Sequence, residues 1–286
     1  MTGLALVLVL SAAFGHATWN YLTKRVNGGA AFMWLFASLS SVLYMPLALW
    51  ILFVQKPVIG GSQLFFIFGS AVLHSIYFIL LDKGYKIGDL SVVYPLARAT
   101  GPMISIIVAI LILGERPSAV ALGGALLIGA GIFITTGNPM KMKEPAARKP
   151  MIFAIACGTV IAAYTIWDKV AVSTLLIPPL LFDWSVNLGR VGILTPYAVK
   201  HWEDVRTQWR THKVEVFGVA ILCPLSYILV LTAMVFSPVS YIAPAREISI
   251  LVGVILGAKL LSEGNVKMRL AGAGAMVAGL VALSLG

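Results

Sequence analysis

Charge is what this sequence has least of. Only 11% of its 286 residues are Asp, Glu, Lys or Arg, where a soluble domain carries about 25%. With 59% hydrophobic residues, so little charge excludes an ordinary soluble domain and makes lipid the natural solvent. Cysteine is almost missing too. Cys157 and Cys223 both fall in apolar segments and form no metal or redox motif, so they read as small buried residues. No Gly-Lys-Ser/Thr follows the Gly-rich runs 123–131 and 271–279. Those runs are packing sequences rather than phosphate loops, which argues against an ATP-driven pump. No metal cluster and no hydrolase triad can be assembled, so no enzyme activity, metal or cofactor is expected. The apolar run from Gly3 has no basic n-region before it and no cleavage site after it, and reads as a first span rather than a signal peptide.

What the chain does have is apolar runs of spanning length. They cover residues 3–23, 30–54, 63–82, 90–113, 118–136, 151–172, 177–199, 214–235, 238–260 and 267–285. Each is apolar around its whole circumference, as a helix in lipid must be. At about 20 residues per span, they leave short loops and no soluble domain. The polar stretch Gly137 to Pro150 carries Lys141, Lys143, Glu144, Arg148 and Lys149 and divides the runs five and five. The spacing predicts an all-α integral membrane protein with ten transmembrane helices. Its parts are a first repeat over 1–137, a basic linker over 138–150 and a second repeat over 151–286.

The halves echo each other at an offset of roughly 148 residues. Val92-Val93-Tyr94-Pro95, then Arg98, then Gly114-Glu115 returns as Tyr241-Ile242-Ala243-Pro244, then Arg246-Glu247, then Ser262-Glu263. Trp19-Asn20 returns as Trp167-Asp168. A repeat with an odd number of spans sits upside down relative to its twin. Inverted repeats point to a transporter, because exchanging conformations between the halves gives alternating access.

The net charge of +10 would point to nucleic acid in a soluble protein. Here the basic residues fall in short loops, so anionic headgroups and membrane orientation are the better reading. Arg98, Arg190 and Arg246 lie within spans. Lys56, Arg116 and Lys169 lie on the side of the termini, and all other Lys and Arg lie opposite. Positive loops stay cytoplasmic, which predicts a cytoplasmic linker and both termini outside.

The run Gly88-Asp89-Leu90-Ser91-Val92-Val93-Tyr94-Pro95, continuing through Leu113-Gly114-Glu115-Arg116 to Thr136, resembles the EamA module of the drug/metabolite transporter superfamily. Residues 151–285 resemble a second such module, and His16-Ala17-Thr18-Trp19-Asn20 with Lys24-Arg25 resembles a first-span pattern of one bacterial branch. The resemblance implies a ten-helix exporter or exchanger of small metabolites, amino acids among them. It implies a central cavity lined by spans 1, 3, 4, 6, 8 and 9, with spans 5 and 10 at the ends.

The residues that could serve such a cavity are His16, Trp19, Asn20, His74, Tyr77, Tyr94, Tyr164, Trp167, Tyr227 and Tyr241. Trp19, Trp167, Tyr94 and Tyr241 lie near span ends, where an interfacial belt is the alternative. His74 and Tyr77 lie mid-span, one turn apart; for His74 the alternative is a bond between helices. The intramembrane charges Arg98, Arg246, Glu247 and Asp168 must face the interior or water. Arg98 and Glu247 occupy equivalent positions, which predicts an Arg98–Glu247 pair with Arg246 nearby. Pro95 and Pro244 read as first-turn prolines or as bends. Gly253-x-x-x-Gly257 and Ser105-x-x-x-Ala109 fit spans 4 and 9 crossing closely.

The function these features predict is a secondary transporter of the inner membrane. It would export small organic solutes, most of all aromatic or other neutral amino acids. A proton-coupled drug or cation exporter, or another metabolite permease, stays open, as does an intramembrane enzyme or a receptor. A cation antiporter needs a mid-membrane carboxylate, for which only Asp168 and Glu247 offer themselves, and Asp168 reads as lying near a span end beside Lys169. The partners predicted are a small-molecule cargo and membrane lipid, with no nucleic acid, in a monomer or weak homodimer.

Overall fold

The computed structural model describes residues 1–26, 28–87, 90–136, 145–252 and 266–286, and every regular element among them is helical. In chain order the helices are α1 (Gly3–Val26), α2 (Gly29–Trp50), α3 (Gly61–Ile87), α4 (Leu90–Ile112), α5 (Ala119–Thr136), α6 (Arg148–Ser173), α7 (Pro179–Lys200), α8 (Trp202–Thr211), α9 (Lys213–Phe236), α10 (Val239–Arg246) and α11 (Val266–Leu285). In lipid the backbone must satisfy its own polar groups, and a helix does so within one segment. Among the described residues Gly3–Thr23, Gly29–Gln55, Gly61–Leu80, Arg148–Ser173 and Lys213–Phe236 are long and apolar enough to cross a bilayer. Leu96–Ile112, Ala119–Ile134 and Ala271–Leu285 are shorter apolar helices. α7 has 22 residues, a length of about 33 Å.

The exterior is apolar: Phe14, Val42, Phe68 and Leu111 are exposed, while Arg98, Asp168, Asp183, Arg190, Arg246 and Glu247 are buried. This inverts the arrangement of a soluble protein and marks the exterior as lipid-facing. The chain is a multi-pass membrane protein.

Helix pairing decides where the interior lies. α3 packs on α6 and α7, α1 packs on α9, α2 packs on α7 and α9, and α4 packs on α6 and α10. α5 and α11 form the most extensive pair. Their glycines explain it, since a Cβ on Gly124 would stand 2.6 Å from the Gly279 carbonyl and one on Gly131 2.7 Å from that of Gly272. Small residues let the two backbones touch. The main apolar core runs from Ala5, Val9 and Ala12 on α1 through Phe182, Leu231 and Met234 to Ile128 and Met276.

The loop after α4, the α9–α10 turn and the C-terminus meet at one end. There Glu115 Oε1 and Oε2 accept from the backbone N–H groups of Val239 (2.7 Å) and Ser240 (2.9 Å) and cap the start of α10. Gly114 makes this possible with φ of 67°: α4 ends in a glycine-terminated turn, with the Glu115 N–H bonded back to the Ala109 carbonyl at 3.1 Å.

α8 lies at the opposite end and differs from the sequence reading, which has only a loop between spans 7 and 8. Val205 is buried, Trp202 meets Trp34 edge-on at 6.1 Å, and Glu203, Asp204 and Arg210 match the helix dipole. A search for all-round apolar runs misses a short one-faced helix. Span 9 also differs, because it is not one continuous helix through Glu247. α10 ends at Arg246, Glu247 has ψ of −11°, and helix resumes over 248–252. Pro244 lies in the second turn of α10, not the first, so its missing N–H leaves a gap in the ladder; the Glu247 N–H then bonds Pro244 at 3.0 Å. Ala109 packs on Val239 and Ala243, which is the α4 side of the predicted crossing. Gly253, Gly257, Ser262, Glu263, Gly88, Asp89 and linker residues 138–144 lie outside the described residues.

Candidate functional site

Three helices converge on one carboxylate oxygen. His74 Nε2 of α3 stands 3.0 Å from Asp168 Oδ2 of α6, and the Tyr227 hydroxyl of α9 donates to the same oxygen. Asp168 Oδ1 is buried and has no hydrogen-bond partner among the described residues. Aromatic rings close around the pair. Tyr164 stacks on His74 with centroids 4.2 Å apart, Tyr227 meets His74 edge-on at 5.3 Å, and Tyr77 meets Tyr164 at 5.8 Å.

Asp168 lies five residues before the end of α6, beside Lys169 as the sequence places it, and is turned inward. It is 0% exposed. Its neighbour Lys169 points about 100° away around the helix. There Nζ bonds the carbonyls of Met234 and, at 3.0 Å, Ser237, capping the end of α9. Lys169 satisfies a helix terminus and leaves Asp168 to the interior.

The second group sits at the break after α10. Arg98 Nε of α4 lies 2.6 Å from Glu247 Oε2, and Arg246 Nε lies 3.7 Å from Glu247 Oε1. Arg98 Nη2 donates to Ser249 Oγ at 3.4 Å. The pair anticipated from equivalent positions is formed, and one glutamate faces two guanidiniums. Arg246 also lies over the Tyr164 ring at 5.9 Å, so Tyr164 joins the two groups. Arg246 Nη2 is buried with no hydrogen-bond partner among the described residues.

A third group went unread in the sequence. On α7 the Asn187 side-chain N–H donates to Asp183 Oδ2 at 2.9 Å and Arg190 Nη1 donates to Asn187 Oδ1 at 3.0 Å, while the Arg190 guanidinium covers the Phe78 ring at 5.2 Å. Asp183 is thus a third buried carboxylate beside Asp168 and Glu247. The signal was available: positions 183, 187 and 190 share one helical face inside an otherwise apolar run. Among the described residues the buried ionic set is then Arg98, Arg190 and Arg246 against Asp168, Asp183 and Glu247. Buried charge needs compensation, and here three arginines accompany three carboxylates.

The other sequence candidates lie elsewhere. Trp167 stacks on Phe66 at 4.4 Å and donates to its carbonyl at 2.8 Å, fastening α6 to α3. The Tyr241 hydroxyl lies 3.2 Å from the Gly286 carbonyl and 3.4 Å from the Ser118 N–H, tying α10 to the ends of α11 and α5. Trp19 is buried and meets His16 edge-on at 4.8 Å. Asn20 donates to the His16 carbonyl at 2.7 Å within α1. His16 is within electrostatic reach of Arg98 and Arg246. Tyr94 belongs to α4, and its side chain lies outside the described residues.

Comparisons with known proteins place this arrangement. No curated protein matches the sequence. A solved structure, described only as a crystal structure of a protein, superposes with a TM-score of 0.76 at 12% identity, over 98% of this chain and 98% of that one; at that identity the likeness shows the fold alone. Residues 3–137 match the family model described as the EamA-like transporter family. The match spans α1 to α5, including the Gly114-Glu115 turn that caps α10. Residues 3–137 of this multi-pass membrane protein, a little under half of the chain, are thus similar to the EamA-like transporter family.

Proposed function

We propose that the chain is a secondary transporter that exports small organic solutes from the cytoplasm across the inner membrane, with aromatic and other neutral amino acids as its cargo. One observation carries the cargo class. The tyrosine cluster is flanked by a buried guanidinium N–H, Arg246 Nη2, and a buried carboxylate oxygen, Asp168 Oδ1, neither hydrogen-bonded among the described residues. An amino acid brings the complement of both, a carboxylate for the arginine and an ammonium for the aspartate. Tyr77, Tyr164 and Tyr227 offer ring faces to its side chain and to the ammonium. A zwitterion adds no net charge to the balanced set.

The mechanism is alternating access between two inverted five-helix repeats, 1–137 and 151–286, joined by the linker 138–150 on the cytoplasmic side with both termini outside. The pairing pattern supports the inversion. Exchanging each span with the one five positions away turns α3–α6 into α1–α9 and α3–α7 into α2–α9, and returns α2–α7 and α5–α11 to themselves. His74, Tyr164, Asp168 and Arg246 are buried and Tyr77 and Tyr227 half-buried, so cargo reaches Asp168 and Arg246 when helices part.

Counterflow into proteoliposomes tests the reading. Labelled phenylalanine, tryptophan or leucine accumulates against the same unlabelled amino acid inside, and Arg246→Gln abolishes the exchange. No exchange of any amino acid, with exchange of a lipophilic cation instead, overturns the cargo class in favour of a drug or cation exporter.

A further inference from the structure

We infer that Asp168, held by His74 and Tyr227, binds the proton that drives transport, and that this proton and the cargo's ammonium group compete for Asp168 Oδ1. The inference rests on the transporter reading above and adds the coupling ion.

The three buried carboxylates differ in their partners. Glu247 faces Arg98 at 2.6 Å and Arg246 at 3.7 Å, and arginine does not give up its proton. Asp183 is held by the Asn187 amide at 2.9 Å, which is not titratable. Asp168 is held at one oxygen by an imidazole and a phenol and keeps a bare, buried second oxygen. Histidine is the side chain whose ordinary titration spans physiological pH. A proton arriving at the Asp168–His74 pair can therefore be held, while one arriving at Glu247 meets fixed positive charge.

The surroundings make that proton count. The charged and titratable groups facing the pair are Tyr164 on α6 itself, Asp183 and Arg190 on α7, Tyr227 on α9 and Arg246 on α10. The cargo's carboxylate on Arg246 cancels its ammonium, so cargo adds no net charge, whereas a proton raises the buried charge by one in a medium of low dielectric. A proton on Oδ1 also removes the negative charge and the acceptor with which the ammonium would pair. One displaces the other. The cycle needs no further reactant: a proton from water forms an O–H bond with Oδ1 on the outer side, that bond breaks on the inner side with the proton returned to water, and the ammonium then takes its place. The two halves differ at this point. Asn20 stands where Asp168 stands in the second half, roughly 148 residues earlier, and its amide is spent on the His16 carbonyl. One half carries a carboxylate at this position and the other an amide.

Infrared difference spectroscopy on the full chain in liposomes, without cargo, between about pH 8 and about pH 5 tests the site. The expected result is a protonated-carboxyl carbonyl band on acidification, absent in Asp168→Asn, present in Asp183→Asn, and shifted in pH midpoint in His74→Gln. A wild-type protein without the band, or Asp168→Asn with the band intact, overturns the inference. Phenylalanine added to the wild type at the acid end removes the band; a band indifferent to phenylalanine in a protein that exchanges phenylalanine overturns the competition. Because the first measurement uses no cargo, a protein that shows the band yet exchanges no amino acid refutes the cargo reading and leaves the proton site standing.

Discussion

Glu247→Gln is the perturbation that probes the buried charges most directly. Glu247 is 1% exposed, Arg98 6% and Arg246 5%, so none of the three can turn to water. The glutamate is counter-ion to both arginines, at 2.6 and 3.7 Å. Neutralising it leaves two guanidiniums without their carboxylate, and breaking a buried pair in this way costs about 3–5 kcal/mol. Arg98→Met removes one partner only, because Glu247 keeps Arg246. Its cost falls to the range of a lost charged hydrogen bond, about 1.5–3 kcal/mol. In the double variant Arg98 is no longer there to be stranded. Its loss is smaller than the sum of the single losses, by about 0.5–3 kcal/mol for groups in contact. Unfolding of the purified chain by SDS in mixed micelles, followed by far-ultraviolet circular dichroism, reads all three. Equal losses for Glu247→Gln and Arg98→Met, or strict additivity in the double variant, would refute the shared counter-ion.

Other substitutions separate backbone from steric effects. Gly114→Ala has open space for its Cβ but a φ of 67°, so it destabilises by about 1–2 kcal/mol through the backbone alone, read in the same titration. Gly124→Ala has the opposite problem, since its Cβ meets the Gly279 carbonyl at 2.6 Å. The α5–α11 pair must separate at a cost of about 1–3 kcal/mol, visible as faster cleavage of the C-terminal helix by added protease. Glu115→Ala removes the acceptors for the Val239 and Ser240 N–H groups and costs about 0.5–2 kcal/mol, whereas Glu115→Gln, which keeps one acceptor, costs less. Trp167→Phe keeps the ring on Phe66 but loses the 2.8 Å bond to its carbonyl; stability falls by about 1 kcal/mol, and counterflow persists.

Much of this was legible in the chain. The apolar runs located the long described helices, though not α8 or the break in span 9, because a spanning helix must be apolar around its circumference for a length set by the bilayer. The Gly-rich runs were legible as packing sequences, and helices α5 and α11 touch through them. The depth of His74 in span 3 was legible, and its ring bonds between helices, to Asp168 of α6, which is the alternative weighed for it. Asp168 is near the end of its span, as read, but its burial was not legible beside Lys169, because one-dimensional proximity cannot show that successive side chains leave a helix in different directions. Asp183 was overlooked although Asp183, Asn187 and Arg190 share one helical face, because spacing alone does not show that this face is turned inward. The break at Glu247 was hidden for a similar reason: where α10 begins, and hence which turn Pro244 occupies, depends on Glu115 from a loop more than a hundred residues away.

The sequence by itself determined the solvent, the helical class and the likeness of residues 3–137 to a family module. Each of these follows from composition, local period or local motif. Only the tertiary structure decided which of the singled-out side chains share a site. It joined His74, Asp168 and Tyr227 from three helices at one oxygen, and turned Trp167 and Tyr241 to the task of fastening helices. The physical reason is burial of charge. Where a buried group finds its partner is settled by which helix faces meet, and no residue carries that information alone.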